Sequence, residues 1–324
     1  MISNNTRIWP RPENAKRFLN RILRKYRRIF KNPIRQSDSL FGYIRELQFG
    51  EMKSLFILPS SDIGLSRQLD FASLREWRST KIFVTILKKR GYERILDLGA
   101  NLGYFAIIER LFSSAEVVAI EPVPLNFKIL QTNMTINEFE NMRLIHGAVG
   151  VTHTPVKIYE FEHKNWSTID IDHAMSLSEK GYRYKVSEVP QLNVDNLFET
   201  EFHDKFGLIR MDVEGYEYEI LMAAEKLEYL NVDIFVEFHS NLLGKEKSLE
   251  ILNKLNKCGY SFCIIVFNEE FSPEEQVVKY NDEGRVQFLE IGSLIKNLSA
   301  ASDSEIRSED GFELFISKEP FDLR

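Results

Sequence analysis

The stretch ILDLGANLGYF, residues 95–105, constrains this chain more than any other. An apolar run enters Gly99, a short polar turn carries Gly103, and an apolar, helix-compatible run follows. Strand, glycine turn and helix in that order open a nucleotide-binding βαβ unit, whose ligand lies beyond the carboxyl ends of parallel strands. The rest of the chain keeps the rhythm. Apolar runs at 94–99, 115–121, 142–149, 155–161, 207–213, 232–238, 261–267 and 312–318 read as strands. Helical patterns fall between most of them: 102–111, 124–137, 216–227 with Tyr216, Ile220, Ala223 and Leu227 on one face, and 245–257. Such alternation predicts an α/β fold with a doubly wound parallel sheet and helices on both faces. Several strands are apolar at nearly every position, as burial on both sides requires.

The glycine turn narrows the ligand. A dinucleotide fingerprint needs G-x-G-x-x-G, and Asn101 occupies its middle glycine. No Lys-Ser/Thr pair follows, so a phosphate-cradling P-loop is excluded as well. Asp97 would repel a pyrophosphate but suits an ammonium or hydroxyl group. The helix opening near Leu102 offers unpaired N–H groups to a carboxylate. Eighteen residues after Gly103 the second strand ends in Glu121, placed to accept hydrogen bonds from two ribose hydroxyls. An amino acid joined to a nucleoside is S-adenosylmethionine. Taken singly, Asp97 could cap a turn and Glu121 could be a solvated strand end; in register on adjacent strands they favour the nucleoside site.

Charge divides the chain. Residues 1–36 hold eleven Lys or Arg and one acid, Glu13, a local excess of +10 that leaves −16 on the remainder of a chain of net charge −6. Phe18, Leu19, Ile22, Leu23, Tyr26, Ile29 and Phe30 recur at helical spacing among these bases, and Pro33 ends the pattern. A basic amphipathic helix over 14–31 is predicted. Its apolar face could pack on its own domain or a second subunit as a homo-oligomer, or lie on an anionic membrane surface. Nucleic acid is the weakest partner, because the acidic body repels phosphate. The expected division is therefore a basic helical arm over 1–45 and a catalytic domain over 46–324. Cys258 and Cys263 sit in apolar sequence with no metal-ligand spacing and read as free thiols of a reducing compartment. With no apolar run of 18 residues, the expected location is cytoplasmic or peripheral at the inner membrane surface.

The segments DLGANLGYF, VVAIEPVPLNFKILQTNMTIN, LIRMDVEGYEYEILMAAEKL and DIFVEFHS resemble the FkbM family of S-adenosylmethionine-dependent methyltransferases, over about 56–267. Weaker echoes are 62–77, 165–170 and 189–198, and Arg210 stands where the family usually has Lys. The resemblance implies a Rossmann-like methyltransferase sheet and an O-methyltransferase acting on a hydroxyl of a sugar, glycan, glycolipid or small metabolite. It implies a cofactor site of Asp97, Gly99, Ala100, Asn101, Gly103, Tyr104, Glu121, Pro122, Asn126, Ala148, Asp212 and Glu214, with Asn133 the family's asparagine in the helix after Glu121. The fourth strand ends in RMDVEG rather than the Asn/Asp-Pro-Pro-Tyr of base-amine methylation, and it lacks the Cys of cytosine C5 attack.

Methyl transfer needs an aligned acceptor and a place for its proton. Among the six histidines only His239 falls at a strand end with acids nearby, so His239, Asp212 and Glu237 are the expected catalytic residues. A neutral His239 could take the proton, or hold a second residue in place. Asp212, Glu237 and His239 could instead share a divalent cation, and Asp212 and Glu214 could simply charge a helix N-terminus. Residues 162–188 and 269–310 are the expected acceptor-binding insertions. The competing function is an adaptor that binds S-adenosylmethionine without methylating and is recruited by its basic arm.

Overall fold

The computed structural model describes residues 42–49, 51–59, 69, 76–161, 167–267, 286–308 and 311–321. The basic helix expected over 14–31, most of the echo at 62–77 and the first half of the 269–310 insertion lie outside the described residues.

A hairpin of β1 (Tyr43–Phe49) and β2 (Met52–Leu58) precedes α1 (Trp77–Arg90). Gly91, at φ 67°, ends α1 in the left-handed conformation after Lys88, Lys89 and Arg90, whose charges suit a helix C-terminus. Then come β3 (Arg94–Leu98), α2 (Tyr104–Phe112), β4 (Glu116–Glu121), α3 (Pro124–Ile136) and β5 (Met142–His146). A side unit follows: β6 (Ala148–Gly150), β7 (Val156–Phe161), α4 (Ile171–Glu179), β8 (Tyr184–Val189) and β9 (Gln191–Asn193). The chain returns through α5 (Val194–Phe202), β10 (Gly207–Met211), α6 (Glu217–Ala223), a 3-10 turn at Glu225–Glu228, β11 (Val232–Phe238) and α7 (Ser240–Lys257). It closes with β12 (Phe262–Val266), β13 (Val286–Glu290), α8 (Ile291–Ala300), α9 (Asp303–Ser308) and β14 (Phe312–Ser317).

Eight strands form the central sheet in the order β13-β12-β14-β11-β10-β3-β4-β5. Strands β5, β4, β3, β10 and β11 run parallel. β14 is inserted antiparallel between β11 and β12, and β13 is antiparallel at the edge, so the sheet is mixed rather than wholly parallel. Side-chain parity sorts the two faces. Ile95, Val117, Leu208, Phe235 and Phe315 pack with Phe83, Phe105, Ile107 and Leu130 of α1–α3. Leu96, Leu98, Val118, Ile209 and Val236 pack with Phe198, Ile220, Leu221, Ile251 and Leu294 of α5–α8. The helices cover both faces, as expected of a Rossmann-like methyltransferase sheet.

Four elements differ from the sequence reading. The run 142–149 is two strands, because Gly147 breaks it; a Cβ there would lie 2.9 Å from the Pro190 carbonyl oxygen. β6 leaves the main sheet to pair with β9, and β7 pairs with β8 in a separate two-stranded antiparallel sheet. The helix expected at 216–227 shortens to α6 and a 3-10 turn. The helix expected at 245–257 begins at Ser240 across a kink at Gly244, where φ is 72°.

The hairpin docks by an amide clamp. Asn133 Oδ1 accepts from the Ile57 N–H at 2.7 Å, and Asn137 Oδ1 accepts from the Leu55 N–H at 2.8 Å. Asn137 Nδ2 returns a bond to the Leu55 carbonyl at 2.7 Å. Four residues of helix rise about 6 Å and two residues of strand about 6.8 Å, so two amides one turn apart match alternate residues of a strand edge. Asn133 Nδ2 also donates to the Leu102 carbonyl at 2.8 Å, tying the hairpin to the glycine turn. Asn133 is fully buried. Asn133→Ala should lower unfolding free energy by roughly 2–4 kcal/mol in urea titration, because two buried backbone groups lose partners at about 1–3 kcal/mol each. A loss below about 1 kcal/mol would show that water replaces the clamp.

Candidate active site

The carboxyl ends of β3, β4 and β10 open into one cleft of about 620 Å³, its mouth included. Of the residues expected to bind cofactor, Gly99, Asn101, Glu121, Pro122, Asn126, Ala148, Asp212 and Glu214 line it. Ile158 and Thr168 of the side unit, with Val123 and Tyr216, complete the wall.

Glu121 organises the turns that follow β3 and β4. Its Oε2 accepts from the Asn101 N–H and its Oε1 from the Val123 N–H, each at 2.8 Å. Asn126 Nδ2 approaches Oε1 at 3.5 Å. One carboxylate therefore fixes both the glycine turn and the turn after β4. Burial pushes Glu121 up to about 7, against the backbone hydrogen bonds that pull it down. Asn101 itself is left-handed, at φ 51°, a conformation asparagine tolerates better than most residues.

The other turn residues serve the scaffold. Asp97, Ala100, Gly103 and Tyr104 are absent from the cleft lining. Gly99, at φ 80°, has the Asp212 carbonyl oxygen 1.9 Å from where a Cβ would stand. Gly103, at φ 94°, fits under Leu130 and Met134. Tyr104 points into the α1–α3 layer, where its hydroxyl meets Thr80 Oγ1 at 3.2 Å. Asp97 shares parity with Ile95, so it faces α2, and its Oδ1 accepts from Arg210 Nη1 at 2.9 Å. Arg210 Nη2 donates to Asp212 Oδ2 at 3.1 Å, and the guanidinium lies 4.1 Å from the Phe105 ring centroid. Burial lowers the Arg210 pKa, but Asp97 and Asp212 more than reverse this, so it stays charged. Glu109 of α2 is also buried there, and burial raises it well above the carboxylate range.

Beside the Glu214 turn stands a histidine among acids. His239 Nδ1 lies 2.7 Å from Glu217 Oε1. Its Nε2 lies 3.6 Å from both Glu214 Oε2 and Glu237 Oε1, beyond hydrogen-bond range. Burial alone would lower the His239 pKa, but the carboxylates of Glu217, Glu237 and Glu214 raise it well above the ordinary value. The neutral imidazole expected from sequence is thus disfavoured by its neighbours. Ligating atoms of Asp212, Glu214 and His239 fall within 4.8 Å of one another. Glu237, expected in that set, groups instead with Glu76 and Glu313, its register partner on β14 being Glu313. Neither His239 nor Glu237 lines the cleft; His239 reaches it through Glu214.

Sequence reasoning missed Glu217 and His173. Glu217 is fully buried and falls on the stripe Glu217, Ile220, Leu221 and Ala224 rather than on the face read from sequence. His173 of α4 contacts the Glu214 backbone, and burial lowers its pKa; no local pattern in the insertion marks it. Among the described residues no helix is long and apolar enough to cross a membrane. Cys258 and Cys263 are free thiols.

Among solved structures, TYW2 of M. jannaschii in complex with AdoMet is 15% identical, with 88% of this chain and 90% of that chain covered at a TM-score of 0.40. TYW2 of P. horikoshii in complex with MeSAdo is 12% identical, with 95% and 86% covered at 0.37. A SAM-dependent methyltransferase from Agrobacterium tumefaciens is 10% identical, with 89% and 71% covered at 0.40. These likenesses are too distant to bear on chemistry. A search of curated proteins finds no match. The profile of the methyltransferase FkbM domain matches residues 97–262, from the acid of the glycine turn to the start of β12. That span holds the glycine turn, Glu121, the Asp212–Glu214 turn and His239, and the chain belongs to the FkbM methyltransferase family, whose methyl donor is S-adenosylmethionine.

Proposed function

We propose that the protein transfers the methyl group of S-adenosylmethionine to a hydroxyl oxygen of a sugar, glycan, glycolipid or small metabolite. The observation that carries this reading is that Glu121 and the Asp212–Glu214 turn line one cleft, with His239 standing beside Glu214.

The residues fit the donor. Glu121 turns a buried carboxylate to the cleft wall, suited to a pair of ribose hydroxyls. Val123, Ala148 and Ile158 offer an apolar slot for a base. The Asn101 and Val123 turns are already locked by Glu121, so little ordering is left to the moment of binding. S-adenosylmethionine supplies an activated sulfonium methyl. The acceptor oxygen would form the new C–O bond as the C–S bond breaks toward sulfur, and its proton would pass to the Glu214 carboxylate on the cleft wall. Glu217 fixes the His239 ring, which stands beside that carboxylate. For a lipid-linked acceptor, the basic segment 14–31 would hold the enzyme at an anionic surface.

Glu121→Ala should weaken S-adenosylmethionine binding by roughly 10–100-fold in calorimetry, the worth of one or two charged hydrogen bonds. His239→Gln should leave that affinity within about threefold while lowering methyl transfer from labelled donor to a panel of hydroxylated sugars and lipid-linked glycans. Equal loss of donor binding in both variants refutes the assignment of Glu121 to the donor and His239 to the transfer step. A methylated nitrogen or carbon in the product refutes the hydroxyl acceptor.

Glu121 also gives a pH signature. Its folded pKa of about 7 exceeds its ordinary 4.5, so the unfolded chain releases the proton first. This group's stabilisation is full below pH 4.5 and lost as pH rises to 7, at no more than ~1.4 kcal/mol per pH unit. Donor hydroxyls bonded to the carboxylate favour its charged form. S-adenosylmethionine binding between pH 6 and 7 should therefore release protons, seen as a buffer-dependent calorimetric enthalpy that vanishes in Glu121→Gln. A buffer-independent enthalpy in the parent protein would place the ribose elsewhere.

A further inference from the structure

The geometry points to a divalent-cation site formed by Asp212, Glu214 and the Nε2 atom of His239. Three observations carry it. First, the three ligating atoms lie within 4.8 Å of one another, and Asp212 and Glu214 also line the cleft. Second, Nε2 stands 3.6 Å from the Glu214 and Glu237 oxygens, too far for hydrogen bonds. Two ligands each ~2.1 Å from a shared ion and subtending a wide angle lie roughly 3–3.6 Å apart. Third, His239 is 7% exposed, and its Nδ1 is held at 2.7 Å by Glu217, which is fully buried. A carboxylate that takes the far ring N–H is the usual support of a metal-bound histidine, since it fixes the tautomer and aims the other nitrogen.

Two carboxylates and one imidazole suit Mn²⁺, Mg²⁺ or Zn²⁺ and leave coordination positions for the acceptor oxygen and water. A vicinal diol could bind through both oxygens, and the ion would lower the pKa of the one that is methylated. That role rests on the methyl-transfer reading of the cleft; ion binding itself does not.

The test uses the full chain stripped with chelator and titrated with Mn²⁺ alone, followed by calorimetry and electron paramagnetic resonance. One ion per chain is expected, with pulsed spectra showing coupling to an imidazole nitrogen. Asp212→Asn, Glu214→Gln and His239→Gln should each weaken binding ~10-fold or more, and the nitrogen coupling should vanish in His239→Gln. The nitrogen signal is read on the parent protein, so a variant that fails to fold does not remove the test. Absence of Mn²⁺ binding at millimolar concentration overturns the site. So does binding without nitrogen coupling, or binding abolished by Glu313→Gln but not by Glu214→Gln, which would assign the ion to the second acid group. S-adenosylmethionine is titrated separately: its failure to bind would sink the methyl-transfer reading and leave the Mn²⁺ result standing.

Discussion

Much of the molecule hangs on the Arg210 guanidinium. It is buried between two strands and under a helix, with Asp97 opposite it in register on β3 and Asp212 two residues along its own strand. Removing one partner of such a pair would strand a charge in the interior, at a cost of about 3–5 kcal/mol. Its planar fork explains why one side chain can serve both acids. Nη1 reaches one carboxylate and Nη2 the other, while the face of the group lies against Phe105. A lysine, the residue the family resemblance implies here, is a point charge without that fork. The pairing holds the ends of β3 and β10 together where Gly99 meets the Asp212 carbonyl. The glycine turn and the Asp212–Gly215 turn are thereby set against each other, and the cleft opens between them.

Legibility followed how local each signal was. The glycine turn, the strand ending at Glu121 and the acids after β10 were readable because each is a short pattern whose position on a strand end carries its meaning. Asp97 shows where that logic stops. Its place in the turn motif suggested the ligand, but parity sends it to the α2 face, where Arg210 was waiting on another strand. Glu217 was missed for a related reason. A stripe drawn through Tyr216, Ile220, Ala223 and Leu227 is offset from the buried one by a fraction of a turn, and a carboxylate on the buried side reads as solvated until His239 is seen beside it. The break at Gly147 depended on the Pro190 carbonyl, far along the chain. Antiparallel β14 gives no local sign of its direction, because apolar content alone does not tell which way a buried strand runs.

The side unit and the sheet divide the work at the cleft. The sheet supplies charged and hydrogen-bonding groups from strand ends that packing holds on both faces. β7 and the Thr168 segment supply Ile158, Thr168 and Ile169 as cover. Thr168 also reaches across to the Glu214 carbonyl at 3.3 Å. The wall built from the insertion therefore touches the same turn that carries the acids, and this part of the cleft is shaped by two elements of different origin. The thiols stay out of this chemistry: burial pushes Cys263 up to about 11, which keeps it protonated and inert.

The amide clamp on the hairpin has a consequence for which length changes the family can absorb. Asn133 and Asn137 work as a two-mark ruler, whose helical step falls short of the strand step by just under an ångström. A third mark would have accumulated twice that error, so the ruler can be no longer than it is. Deleting one residue between the marks would swing the second amide about 100° around the helix, while extra residues beyond the Phe49–Met52 pair would leave both marks untouched. Relatives should therefore vary freely at the tip of this arm and keep the count between those two asparagines constant.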